Sequence, residues 1–224
     1  MSKKAVILCS GGLDSATVLA IATNQGFECH AISINYGQRN IAELNAAKKI
    51  TSILRASHKI VSIDLSAIGG SALTDPNIEV PTYKGDGQIP ITYVPARNTI
   101  FLSIAMGYAE SIQCDNIFIG ACQKDYSGYP DCRDVFLDAF NNLANVATKR
   151  AVEGNKMHIH APLLNLTKAE TIQTGSNLDL DYSITVTCYR ADPEGKACGT
   201  CDSCTYRKEG FKSAGLIDPT NYYL

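Results

Sequence analysis

Short apolar runs alternating with segments of helical spacing set the rhythm of this 224-residue chain. The runs at residues 5–8, 29–34, 59–63, 116–120 and 157–161 are bounded by turn residues and are too short for buried helices, so they predict five strands. They are apolar almost throughout rather than alternating, the mark of parallel strands covered on both faces. Residues 16–22 predict a first helix, with Leu19 and Ala22 turned toward the sheet. Residues 40–55 place Ile41, Leu44, Ala47, Ile50 and Leu54 on one helical face, with Asn40 and Glu43 as the expected capping pair. Residues 100–112 are apolar nearly all round, which predicts a helix that is buried or lies at a subunit contact. Residues 135–151 predict the next helix. The alternation as a whole predicts an α/β fold with a doubly wound, mostly parallel sheet. No internal repeat, low-complexity tract or interdomain linker interrupts it.

The first strand-to-helix turn carries the densest chemistry. Cys9-Ser10-Gly11-Gly12-Leu13-Asp14-Ser15 puts a glycine-rich turn where free backbone N–H groups and a helix N-terminus can meet a phosphate. Ser10 and Ser15 add hydroxyls at the two lips. No Lys follows in the Walker A pattern, and G-x-G-x-x-G is absent. The hexapeptide from Ser10 to Ser15 instead resembles the PP-loop of ATP pyrophosphatases, the group of argininosuccinate synthetase, GMP synthetase and several tRNA-modifying enzymes. That resemblance implies a loop holding the β- and γ-phosphates, pyrophosphate as leaving group and an adenylate as product. Asp14 then needs Mg²⁺ between itself and the phosphates. The expected nucleotide-binding residues are Cys9, Ser10, Gly11, Gly12, Leu13, Asp14, Ser15, Ala16 and Thr17. Lys168, at the start of a helix after the fifth strand, is expected to offset phosphate charge.

Three polar loops follow predicted strands, the edge at which open α/β sheets bind ligands. They are residues 35–39, the long stretch 66–98, and residues 123–133. From them come the candidate substrate-binding residues Gln38, Arg39, Arg97, Asn98, Asp125, Asp131 and Arg133, with Arg97 expected just ahead of the apolar helix. Guanidinium forks suit a carboxylate, and carboxylates suit ring N–H groups. Near the C-terminus, Cys188, Cys198, Cys201 and Cys204 are spaced C-x9-C-x2-C-x2-C. Four thiolates on a tight knuckle suit a closed, structural Zn²⁺ site, with an Fe–S cluster as the rival. The remaining cysteines, and the pair His158 and His160 on one face of a strand, read as structural. Residues 1–180 thus form a nucleotide-binding α/β domain, and residues 181–224 a zinc-binding segment packed on it.

Charge and cysteine usage narrow the setting. The net charge of −2 offers no field for a nucleic-acid backbone, so no direct nucleic-acid binding is expected. No segment approaches a membrane span, the basic N-terminus lacks a signal-peptide core, and nine cysteines fit a reducing cytoplasm.

Six motifs in one order carry a wider resemblance: SGGLDS, NYGQR, YVPARN, GYPDCR, LTKAE from Leu166 to Glu170, and TCY followed by CGTCDSC. Together they resemble the 7-cyano-7-deazaguanine synthases, PP-loop enzymes of queuosine biosynthesis, from Ala5 to about Arg207. Cys9 departs from the larger apolar residue expected there, and the tail after Lys208 carries no motif of the family. The resemblance implies a sheet of the adenine nucleotide alpha hydrolase-like type. It also implies an ATP-dependent ligase that joins ammonia to a 7-carboxy-7-deazaguanine substrate and dehydrates the product to the nitrile, through adenylated intermediates. A homodimer is expected, with free ammonia as nitrogen source because no glutaminase segment is present. The rival readings are a PP-loop tRNA thiolase, which wants a basic face or an RNA-binding appendage, and a non-catalytic nucleotide sensor.

Overall fold

The computed structural model describes residues 3–39, 41–83, 88–122 and 128–223. Five parallel strands, β1 (Lys4–Leu8), β2 (Glu28–Asn35), β3 (Ser57–Ser62), β4 (Asn116–Phe118) and β5 (His158–His160), form one sheet in the order β3-β2-β1-β4-β5. The helices are α1 (Leu13–Asn24), α2 (Ala42–Ile53), α3 (Arg97–Ser111), α4 (Asp134–Ala147), α5 (Lys149–Val152), α6 (Lys168–Ser176) and α7 (Asp202–Ala214). None of them is long and apolar enough to cross a membrane.

The period-two alternation of strand side chains divides the core into two layers. Ala5, Ile7, Ala31 and Phe118 point to one face, where Leu19 of α1, Ile50 of α2, Ile172 of α6 and Phe211 of α7 pack. Val6, Leu8, Ile32, Ile34 and Ile117 point to the other, against Leu102 of α3, Phe140 of α4 and loop residues Leu73, Val80 and Val94. Both faces are covered, which is why the strands read as continuous apolar runs.

The chain winds β1, β2, β3 to one side and then returns to place β4 on the other side of β1. The order of winding therefore reverses between β1 and β4. Loops leaving the C-terminal ends of these two strands must diverge, and a crevice opens between them.

Three elements differ from the expectation. Helix α3 begins at Arg97 rather than Ile100, so Arg97 and Asn98 lie in its first turn. The N–H of Asn98 donates to Asp131 Oδ2 at 2.9 Å, so a carboxylate from a distant loop caps the helix. The helix predicted over 135–151 breaks at Thr148, an extended residue (φ −109°, ψ 143°). Its hydroxyl donates to Ala144 O at 2.9 Å and accepts from Ala151 N at 3.3 Å, ending α4 and capping α5. Helix α2 takes Ile41 as its N-cap, with no side-chain bond, and the Asn40 half of the expected capping pair lies outside the described residues. Helix α3 buries Leu102, Ala105 and Ala109 while its other apolar side chains are half covered.

Candidate active site

The turn from β1 into α1 is shaped by what presses on it. Gly11 has φ +95°, and a Cβ there would overlap the Glu43 carbonyl and lie 2.8 Å from Ala47 N, so only glycine fits against α2. Gly120, just past β4, lies so close to α1 that a Cβ would meet Ser15 N at 3.3 Å. Gly12 is the N-cap of α1 and Asp14 stands in its first turn. The Ser15 hydroxyl accepts from the N–H groups of Ser10 and Gly11, each at 3.2 Å, and donates to Gly12 O at 3.0 Å. The N–H groups of Ser10 and Gly11 are thus taken up by Ser15, and that of Gly12 donates to Ser10 Oγ at 3.3 Å, so the donors expected to be free are engaged within the chain.

Lys168 Nζ meets both Asp14 oxygens, at 2.6 and 2.8 Å. The lysine is delivered by α6, whose start is fixed by a full capping box of Thr167 and Glu170. Lys168 therefore balances Asp14 directly.

Two adjoining clefts lie over this turn and share Leu13, Asp14, Arg97, Gly120, Cys132, Thr187, Tyr189 and Ser203. The first continues past Ser10, Gly12 and Ser15 to Tyr36, Gln38, Arg39, Glu43 and Asn98. The second contains Lys168, Tyr129, Tyr206 and Arg207. Arg97 stands in the shared wall. Its guanidinium lies over the Tyr129 ring at 5.6 Å. Burial opposes its charge, yet the Tyr36, Tyr129 and Tyr189 phenols and the Cys132 thiol around it raise its pKa above the ordinary guanidinium value. Tyr129 is itself tied to Thr92 at 3.0 Å and Tyr189 at 3.3 Å. Burial pushes the Glu43 carboxyl up to about 7, partly offset by Arg97. Burial also holds the Cys9 thiol protonated, at about 11.

The C-terminal segment closes the second cleft. Cys188, Cys198, Cys201 and Cys204 bring their sulfurs within 4.8 Å of one another, with 4.0 Å between Cys188 and Cys201 and 3.9 Å between Cys198 and Cys204. A tetrahedral tetrathiolate ion with bonds of about 2.3 Å needs sulfurs ~3.8 Å apart. N–H groups of Arg190 and Cys198 point at Cys188 Sγ, at 3.3 and 3.2 Å, as donors that would support a thiolate. Among the described residues this is the one cluster placed to hold a metal. His160 instead stacks on Phe118 at 4.4 Å and bonds Asn116.

The family described as "Queuosine biosynthesis protein QueC" matches residues 4–215. Relatives named 7-cyano-7-deazaguanine synthase include one from Legionella pneumophila, 59% identical over 98% of this chain and 97% of that protein. Another, from Hydrogenovibrio crunogenus, is 60% identical over 98% and 96%. The chain belongs to the QueC family. Among solved structures, NMN synthetase from Francisella tularensis is similar at a TM-score of 0.51 and 18% identity, covering 96% of this chain and 79% of that one. A 4-thiouridine synthetase solved with RNA and ATP is similar at 0.51 and 17%, covering 95% of this chain and 50% of that one. At such identities the likeness is of fold alone, and the thiolase reading gains nothing from it.

Within this QueC-family chain the expected residues divide. Cys9, Ser10, Gly12, Leu13, Asp14 and Ser15 line the first cleft, as do Gln38, Arg39, Arg97 and Asn98, and Lys168 lines the second. Gly11, Ala16 and Thr17 line neither. Gly11 faces α2, Ala16 is buried, and the Thr17 hydroxyl bonds Tyr182 OH at 2.8 Å inside the core. Asp131 caps α3, and Arg133 is exposed with Nε donating to Pro130 O at 3.1 Å. Asp125 lies outside the described residues. Glu43, Tyr36, Tyr129, Tyr189 and Arg207 line the clefts without having been assigned to the site. Three of those tyrosines stand inside NYGQR, GYPDCR and TCY, so their motifs were legible although their roles were not.

Proposed function

We propose that this chain is the ligase that converts 7-carboxy-7-deazaguanine and ammonia into 7-cyano-7-deazaguanine, with ATP cleaved to AMP and pyrophosphate in each of two halves. The observation that carries the reading is near full-length identity of 58–60% to proteins bearing that name. The clefts fit it. A carboxylate is a poor electrophile, so its oxygen must first become a leaving group. The loop after β1 grips the β- and γ-phosphates and leaves the α-phosphorus facing the shared wall, where Arg97 holds the substrate carboxylate. Gln38, Arg39 and Asn98 border the rest of the deazapurine. Attack on the α-phosphorus gives the acyl adenylate, and ammonia displaces AMP to give the amide. The amide oxygen then meets the same phosphorus, and loss of AMP leaves the nitrile. Asp14 would hold Mg²⁺, which offsets phosphate charge. The four cysteines would hold Zn²⁺, which as a closed tetrathiolate site supplies stability rather than Lewis acidity. A cytoplasmic setting belongs to this reading, since a chain with nine cysteines and a thiolate metal site suits a reducing compartment.

The test is incubation with ATP, ammonium and the 7-carboxy base. Mass spectrometry is expected to find the nitrile, and chromatography AMP and pyrophosphate. ADP as the stoichiometric product would overturn the adenylate mechanism.

A further inference from the structure

The ligation proposed above releases protons from nitrogen and needs a group to take them. Ammonia brings three, and none remains in the nitrile. Most cleft groups are unsuited to this at neutral pH. Asp14 is engaged by Lys168. The Cys9 and Cys132 thiols are held protonated by burial, at about 11 and about 12. Tyr36 and Tyr189 are raised above the ordinary phenol value by burial. Arg39 and Arg97 are cations.

Glu43 differs from all of these. It lines the first cleft from the first turn of α2, and its own carbonyl is packed against Gly11, which fixes its backbone to the phosphate-binding turn. Among the described residues no hydrogen bond to its carboxylate is present, and the residue, itself half-buried, lines the cleft that leads to water. The charged and titratable groups that act on it are Arg97 from α3 and Tyr36 from the loop after β2; Arg39, Cys9 and Asp14 line the same cleft. Resting on the ligase reading, we propose that Glu43 is the proton acceptor for the nitrogen in both halves of the reaction.

In the first half, ammonia adds to the acyl adenylate and forms the C–N bond. Glu43 takes one proton from the resulting ammonium, and the C–O bond to AMP breaks with its electron pair leaving on AMP. In the second half the amide oxygen displaces pyrophosphate at the α-phosphorus. Glu43 takes one N–H proton to give the neutral imidate. Glu43 takes the last N–H proton, the N–H electron pair completes the triple bond, and the C–O bond breaks with its pair leaving on AMP, which carries the oxygen away. Glu43 passes each proton to solvent before the next. An ionisation near neutrality suits such cycling, because the base must both accept and release.

Two readouts test this on the full-length protein. Exchange of radiolabelled pyrophosphate into ATP, with the carboxylate substrate and no ammonia, reports adenylation alone. Nitrile formation at constant unprotonated ammonia reports the whole path. Glu43→Gln is expected to keep the exchange, lose a hundredfold or more in nitrile formation, and lose the rise of activity with pH through about 7. Glu43→Asp, which sets the carboxylate back, is expected to be slower than wild type but to keep that rise. Wild-type nitrile formation by Glu43→Gln, exchange lost in parallel with nitrile formation, or a Glu43→Asp profile flat through neutral pH would each overturn the proposal. Absence of substrate-dependent exchange in the wild-type protein would sink the ligase reading itself, and the role of Glu43 with it.

Discussion

Arg97 is held still by its surroundings, with Tyr129 under its guanidinium and Asp131 capping the helix that carries it. A fork fixed in this way can orient one carboxylate oxygen toward phosphorus, which the point charge of Lys cannot do equally well. Arg97→Lys is expected to lose about 2–3 kcal/mol of transition-state binding, or roughly thirty- to hundredfold in kcat/KM for the carboxylate substrate, with KM for ATP unchanged. Steady-state kinetics with each substrate varied in turn checks this, and a defect confined to ATP would move the residue to the nucleotide. Glu43 makes a prediction about stability as well. Its carboxyl ionises at about 7 in the fold against an ordinary 4.5. Between these values the folded protein binds more protons than the unfolded chain, so this residue's contribution falls as pH rises from about 4.5 to about 7. Glu43→Gln is therefore expected to melt above wild type at pH values over 7, with the gap closing toward pH 4.5, in thermal melts across that range. The place of Arg97 at the cleft was legible because three polar loops follow strands on the ligand edge, and Arg97 ends one of them. Glu43 was not, because three residues after Asn40 it reads as half of a capping pair. Only the close approach of α2 to Gly11 turns it into a cleft residue.

At the scale of elements, the Lys168–Asp14 pair depends on how α6 and α7 meet. Gly210 of α7 lies under the Lys168 stem, where a Cβ would come within 3.0 Å of Lys168 Cβ and 2.9 Å of Ile172 Cδ1. Gly210→Ala gains about 1 kcal/mol of helix propensity, but overpacking against atoms this close to the α6 backbone costs about 1–3 kcal/mol. Overpacking is expected to win, lowering Tm by a few degrees and raising KM for ATP as Lys168 is pushed from Asp14. Calorimetry and kinetics read the two effects separately, and an unchanged KM would show that the pair survives. The strands were legible because burial on both faces leaves unbroken apolar runs. The break at Thr148 was not, since the apolar pattern continues across it and a single back-bonding hydroxyl decides the matter. Nor was the early start of α3, whose cap comes from Asp131, 33 residues away.

At the scale of the whole molecule, the cysteine segment is both clasp and wall. Its cysteines pack into the core layer that also holds Val6 and Leu102. Helix α7, which begins at the knuckle, brings Ser203, Tyr206 and Arg207 to the second cleft. Arg207 is buried and ties this wall to the rest, donating to Thr185 Oγ1 at 2.7 Å and Tyr182 O at 3.0 Å and pairing with Asp218 at 3.0 Å. The tail that carried no motif then folds back. Tyr222 donates to Asp218 Oδ2 at 2.6 Å, and the N–H of Tyr223 donates to Ala197 O at 3.0 Å beside the knuckle. Cys188, Cys201 and Cys204 are buried, so without an ion their close-set sulfurs would lose the one interaction that joins all four cysteines at a point. Cys201→Ser, or chelation of the wild-type protein, is expected to release one metal ion per chain. Tm, ATP binding and turnover should fall together, because the cleft loses a wall rather than a catalyst. Returning Zn²⁺ to the chelated protein should restore all three in step. Metal analysis, calorimetry and ATP titration on the same sample follow them, and a metal-free protein that still binds ATP with wild-type affinity would refute the coupling.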